Sequence, residues 1–158
     1  MTDRFVVVPA AYVFLLRPAP MPGGREVLLQ LRRGTGYMDE HWAAAVAGHV
    51  EKGETVFAAA AREAVEEVGI DDVDLSPWCA MQRTGTDGLP IDERVDYFFT
   101  ATTWSGTPGV MEPDKSGGLR WVNLSALGTL DLPVVPHERR VLDAVRSGST
   151  PPFLAHGF

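Results

Sequence analysis

The stretch GHVEKGETVFAAAAREAVEEVGI, residues 48–70, carries five glutamates, three of them crowded at Glu63, Glu66 and Glu67. Thr55 can cap a helix at its start and Gly69 can end one, so the stretch predicts a helix over residues 55–68. At about 100° per residue, Phe57, Ala60, Ala61, Ala64 and Val68 fall on one narrow stripe of small residues, suited to close packing on a sheet. Glu63, Glu66 and Glu67, spaced i, i+3, i+4, fall beside it, and their carboxylates are expected to converge on one point. Like charges one turn apart cost helix stability. Near the helix C-terminus the dipole disfavours them further. A divalent cation would compensate, whereas a solvated acidic face is the competing reading of the same periodicity. The glycines before the helix favour the cation, because a backbone carbonyl such as that of Gly48 can approach a ligand closely. Arg62 lies one turn before Glu66 and can pair with it or reach back to Glu54.

Working outward, residues 10–17 (AAYVFLLR) and 26–32 (EVLLQLR) read as strands separated by the loop PAPMPGG. Trp42 to Val46 reads as a short strand leading into Gly48. Residues 75–84 and 93–103 read as strands around the turn GTDGLP. GTPGVMEPDKSGG, residues 106–118, reads as a polar loop, and LRWVNL as another strand. His137 to Ser147 reads as a second helix with apolar Val141, Leu142 and Val145. Many strands with one central and one late helix point to a mixed α/β sandwich. Residues 145–158 are expected to form an irregular tail, ordered only if Phe153 and Leu154 dock.

A chain of 158 residues fits one domain spanning 1–158. Its net charge of −7, with twelve arginines and only the lysines Lys52 and Lys115, disfavours nonspecific nucleic-acid binding. An anionic small substrate stays compatible with that charge where metal ions screen it. Cys79 is the only cysteine, so no internal disulfide forms, which fits a cytoplasmic protein. The N-terminal run MTDRFVVVPAAYVFLLRPAP carries Asp3 and is interrupted by Pro9. It falls short of the ~20 apolar residues of a membrane helix. Two buried strands are the better reading, and no membrane association is expected. A homodimer is compatible with the sequence, but nothing in it sets the oligomeric state.

The segment 48–70 resembles the Nudix box. That box runs Gly, five residues, Glu, seven residues, Arg-Glu, an apolar residue, any residue, Glu-Glu, any residue, Gly and an apolar residue. Gly48, Glu54, Arg62, Glu63, Ala64, Glu66, Glu67, Gly69 and Ile70 fill every position, Ala64 being smaller than the usual aliphatic. Seven fixed identities coincide by chance on the order of 10⁻⁹ per frame at ordinary residue usage. The resemblance implies the Nudix α/β/α sandwich, with a mixed β-sheet and the box as a loop-helix-loop. It implies hydrolysis of a nucleoside diphosphate linked to another moiety, with Mg²⁺ or Mn²⁺ as cofactor. Glu63, Glu66 and Glu67 are then metal ligands, helped by the carbonyl of Gly48, while Glu54 and Arg62 brace the loop against the helix. An ion pair without catalytic chemistry is the competing reading for Glu54 and Arg62. Hard carboxylate oxygens do suit Mg²⁺, and such an ion can neutralise a pyrophosphate and acidify water. Glu63 or Glu67 is the leading general base; spacing does not separate base from ligand.

In MutT-like members a glutamate after a Trp…Gly…Pro stretch reaches the metal site. Glu112, eight residues after Trp104, stands at a similar place, which implies a metal ligand or base. EPDK followed by a Trp on the next strand also resembles a subset of nucleoside-triphosphate diphosphatases. Arg32, Lys115 and His49 are candidates for phosphate contacts, and His137 could border a base pocket. Of Tyr37, Trp42, Tyr97, Phe98, Phe99 and Trp121, one or two are candidates for stacking a purine, the rest core. Tyr97 is the substrate-binding candidate among them, sharing one strand face with Phe99 opposite Phe98.

Three subclass marks are missing. There is no Ser-Gln-Pro-Trp of NADH cleavers. Gly85 replaces the proline of ADP-ribose cleavers, and Thr86-Asp87-Gly88 replaces the tyrosine of diadenosine polyphosphate cleavers. This leaves a MutT-like (d)NTP pyrophosphohydrolase, giving a nucleoside monophosphate and pyrophosphate, as the expectation. An ADP-ribose or nucleoside-diphosphate-sugar pyrophosphatase is the enzyme alternative. A non-catalytic nucleotide-sensing domain is the alternative from another class, although such domains commonly lose acidic residues that are all present here.

Overall fold

The structure is a computed structural model and describes residues 3–158. Its centre is β1 (Val8–Pro18). Ala10, Tyr12, Phe14 and Leu16 point to one side of it and Ala11, Val13 and Leu15 to the other, all buried. A strand apolar on both faces has to be covered on both. β1 pairs in parallel with β6 (Arg94–Ala101) along its length. Its first half also pairs antiparallel with β4 (Val46–His49), and its end with β2 (Arg25–Arg32). β2 carries β3 (Trp42–Ala44) and β7 (Ser116–Asn123), both antiparallel. Beyond β6 come β5 (Ser76–Arg83) and then β8 (Phe153–His156). Among the described residues the eight strands make one mixed sheet. Helix α1 (Val56–Val68) packs on the Val13 face and α2 (Pro136–Ser147) on the Phe14 face, which is the expected α/β/α sandwich.

Helix α1 begins and ends as its sequence predicts. The Thr55 hydroxyl accepts from the Ala58 N–H at 3.1 Å, and Gly69 closes the helix in the left-handed region at φ 70°. Its buried face, however, is rotated from the expected stripe. Ala59, Ala60, Ala64 and Val68 are fully buried with Glu63 beside them, whereas Ala61 and half of Phe57 face solvent. Phe57 keeps only an edge contact with Phe99, ring centroids 5.2 Å apart. A flat sheet covers two adjacent rows of a close-packed helix, here 59/63 and 60/64/68, rather than one line. The rotation matters because it carries Glu63 inward.

Three further expectations change. The N-terminal run forms one strand rather than two. Pro9 sits second in β1, where its missing N–H is tolerated, and its carbonyl accepts from Val50 N–H at 2.9 Å. The polar loop is shorter than 106–118, because β7 already starts at Ser116. Gly117 passes so close to β2 that a Cβ there would lie 2.7 Å from Leu31, so the glycines permit the pairing. Finally, residues 145–158 are not an irregular tail. α2 runs to Ser147, and Phe153–His156 pairs parallel to β5. Leu154 packs on the core, Phe153 stays exposed, and Arg140 of α2 donates to the Ala155 carbonyl. No helix among the described residues is long and apolar enough to cross a membrane.

The alanine face of α1 leaves no room for a larger side chain. Ala64→Leu is expected to lower unfolding free energy by about 1–3 kcal/mol through overpacking, read from the shift of a urea denaturation midpoint.

Candidate functional site

Gly48, on β4, lies directly under α1. A Cβ at this position would stand 2.1 Å from the Glu63 carboxylate, so only glycine leaves that carboxylate where it lies. Arg62 organises the surroundings. Its Nη2 and Nε donate to Glu54 Oε1 and Oε2 at 2.7 and 3.2 Å, and Nη2 also donates to the His49 carbonyl at 3.0 Å. Its Nη1 donates to Glu63 Oε1 at 2.8 Å and to Glu66 Oε2 at 3.2 Å. Glu54 accepts in addition from the Glu51 N–H at 2.8 Å. The Arg62 hydrogen bonds hold the Glu54 carboxyl below its usual range, and Glu54 in turn raises the guanidinium pKa.

The three helix carboxylates do not converge on one point as expected. Glu66 turns outward, its side chain 55% exposed, to meet Arg62. Glu63 is drawn between Arg62 and Gly48. Glu67 lines a cavity of about 310 Å³ that it shares with Glu112, Lys115, Gln30 and Arg32. Among the described residues no three acidic, histidine or cysteine side chains stand close enough as placed to hold an ion. The reason is that i, i+3, i+4 spacing brings Cβ atoms together, but partners decide where long side chains end. Burial, then the charges of Glu112 and Glu63, push the Glu67 carboxyl up to about 7. Burial also raises Glu63, against the pull of Arg62. Glu112 immediately precedes the 3₁₀ turn Pro113–Lys115. Arg32 is held towards the cavity by the Tyr37 carbonyl at 2.8 Å and the Thr35 hydroxyl at 3.0 Å.

A second cavity, of about 540 Å³, adjoins the first and shares Arg32, Ala43, Ala44 and Ala47 with it. Its wall includes Tyr12, Tyr37, Arg83, Leu89, His137 and Glu138. Behind that wall Asp96 is fully buried and accepts from Arg83 Nε at 2.7 Å; Arg94 and His137 approach it to 3.8 Å. Glu138 Oε1 accepts from the Ala44 N–H at 2.7 Å. Burial pushes the Glu138 carboxyl up to about 7 and holds the His137 imidazole neutral. His49 lines this cavity as well. Tyr97 does not: it packs on the opposite, α1 face beside Phe99, because strand alternation turns it away from Phe98.

The NUDIX domain profile matches residues 7–145. The chain belongs to the NUDIX family. It is therefore a hydrolase acting on pyrophosphate bonds. No curated protein matches the sequence. Among solved structures it is similar to a MutT NUDIX hydrolase from Burkholderia pseudomallei, at 26% identity and TM-score 0.74, covering 89% of this chain and 98% of that one. A Nudix hydrolase from M. smegmatis, RenU, shares the fold at 24% identity and TM-score 0.63, with 89% and 84% covered. So does a MutT protein from Bacillus halodurans at 20% identity and TM-score 0.66, with 94% and 86% covered.

NUDIX hydrolases generally use divalent metals, and the residues here fit one. Glycine at position 48 leaves the Glu63 carboxylate where it lies, and the charge of Glu112 contributes to raising both Glu63 and Glu67. Carboxylates supply the hard oxygens that Mg²⁺ or Mn²⁺ binds, once their side chains turn towards one ion. Glu66 joins the set only by leaving Arg62, a rotamer change open to an exposed side chain. Gln30, Arg83, Asp96 and Glu138 were not singled out in the sequence. The signal available was a lone aspartate in the middle of the apolar strand RVDYFFTA, and a glutamate on the apolar side of the second helix.

The Glu138 carboxyl, raised when folded, stabilises fully below its ordinary pKa, and that contribution is lost as pH rises through about 7. Glu138→Gln keeps an acceptor for Ala44. Its Tm relative to the parent is therefore expected to climb between about pH 5 and about pH 8, as measured by scanning calorimetry.

Proposed function

We propose that the chain is a MutT-like (d)NTP pyrophosphohydrolase that uses Mg²⁺ or Mn²⁺ and releases a nucleoside monophosphate and pyrophosphate. The observation that carries this reading is the continuity of the two cavities through Arg32 and Ala44. One is small and charged, with Glu67, Glu112 and Lys115. The other is larger and of mixed character, with Tyr12, Tyr37, Leu89, His137 and Glu138. A polyphosphate suits the first and a nucleoside the second.

Glu63, Glu67 and Glu112 would hold the ion, with Glu66 and the Gly48 carbonyl completing the set. When bound, the ion neutralises phosphate charge and lowers the pKa of water. Lys115 and Arg32 bind phosphate oxygens from the cavity wall and fix the chain for in-line attack. Glu67 takes the proton of the attacking water. Of Glu63 and Glu67 it is the one that lines the cavity, whereas Glu63 is engaged by Arg62 and lies against Gly48. Glu54 and Arg62 touch no substrate in this scheme and keep the loop on the helix. The wall around Glu138 gives the nucleobase its polar contacts.

A panel of (d)NTPs, ADP-ribose and nucleoside-diphosphate sugars with Mg²⁺ tests this reading. Pyrophosphate released from (d)NTPs is the expected product; two phosphorylated halves from ADP-ribose with intact (d)NTPs would replace it by the nucleoside-diphosphate-sugar alternative. Glu67→Gln is expected to lower kcat by about 10²–10⁴-fold with an unchanged circular-dichroism spectrum. Parental turnover in that variant would remove Glu67 from the base role.

A further inference from the structure

Residues 103–111 run along the C-terminal end of α1 and the turn after it. The Asp74 N–H donates to the Thr103 carbonyl at 3.0 Å, and Asp71 and Ser105 exchange two backbone hydrogen bonds at 3.1 and 2.8 Å. Gly109 N–H then reaches the Val68 carbonyl at 3.0 Å, and Met111 N–H the Glu67 carbonyl at 3.4 Å. The last carbonyls of a helix have no partner within it, and here the loop supplies two of the missing donors. The series ends with the Met111 thioether lying over Gly69. A Cβ on Gly69 would stand 3.0 Å from its sulfur and 3.5 and 3.7 Å from its carbons. Met111 is more than half exposed, so burial in the core does not account for its place.

The next residue is Glu112. On its far side the Lys115 N–H donates to the Glu112 carbonyl at 3.0 Å, and the turn that follows abuts Gly34, where a Cβ would lie 2.6 Å from the Asp114 carbonyl. Glu112 is thus held between two anchors, and the nearer one is the end of the helix that bears Glu67. We infer that Met111 is a positioning residue: its contact with Gly69 latches the loop to α1 and fixes the Glu112 carboxylate beside Glu67. Gly69 accordingly has two duties, the left-handed cap and the seat for this side chain. The inference rests on the reading of Glu112 as a metal ligand.

Direct Mn²⁺ binding, followed by isothermal titration and by the electron paramagnetic resonance signal of free Mn²⁺, separates the two. Glu112→Gln and Met111→Ala are each expected to weaken Mn²⁺ binding by about tenfold. Met111→Leu, which keeps the bulk over Gly69, should stay close to the parent. The double variant should be no weaker than Glu112→Gln alone. If Glu112→Gln weakens binding and Met111→Ala does not, with both folded by circular dichroism, the latch is refuted and the ligand stands. If Glu112→Gln binds Mn²⁺ like the parent, the ligand reading falls and the latch falls with it.

Discussion

One guanidinium holds the site together. Arg62 serves two oxygens of Glu54, the His49 carbonyl, Glu63 and Glu66 through three nitrogens. The planar fork makes this possible; an ammonium in the same place is a point charge and cannot span acceptors on a loop and on two successive helix turns. Its charge also lets Glu63 be buried, since a carboxylate taken out of water without a partner costs several kcal/mol. With Arg62 in place, residues 49–54 are pinned to α1 and Gly48 is held beneath Glu63. The local geometry of a glycine and a buried acid thus follows from one side chain.

The second constraint is the depth at which α1 lies. Ala59, Ala60 and Ala64 let the helix axis come close to the sheet, and the same closeness brings the Glu63 carboxylate against Gly48 of β4. A leucine-faced helix would stand further off and leave the acids in solvent. The alanines that make the box look poor in apolar area are therefore functional in their size. The larger apolar residues sit on the other face, where Tyr12 stacks on Phe98 at 4.7 Å and α2 supplies Val141, Leu142 and Val145.

The helix, its two caps and the contact of Arg62 with Glu54 and Glu66 were legible because they are local: each depends on residues within a few turns. The sandwich followed from the order of apolar runs around that helix. What could not be read was set at a distance. The rotation of the buried face depends on how the sheet lies beneath it, so Ala61 and Phe57 were counted in the buried stripe and Ala59 was not. The strand Phe153–His156 depends on an open edge of β5, which no tail residue reveals. Convergence of Glu66 with its neighbours failed because Arg62 competes for it, and helical spacing does not register competition. Tyr97 was a matter of strand parity: the side facing the second cavity is that of Phe98, and only β1 pairing shows which side that is.

The residues missed in the sequence share a physical trait that explains both their burial and their place. Asp96 is completely enclosed, yet it carries a partner at 2.7 Å in Arg83, with Arg94 and His137 further out. A buried ion network of this kind contributes little net stability compared with apolar packing. It does impose direction: Arg83, tied to Asp96, is aimed so that its Nη1 meets the Tyr37 hydroxyl at 3.2 Å, closing β5 against the loop that also holds Arg32. Arg32 belongs to both cavities, so the wall that would read a base and the wall that would bind phosphate share one mechanical frame. Box residues define the chemistry in general terms. On the proposed reading, discrimination between substrates would fall to the strands and the second helix, whose Arg83 and Glu138 line the second cavity and carry no local spacing to announce them.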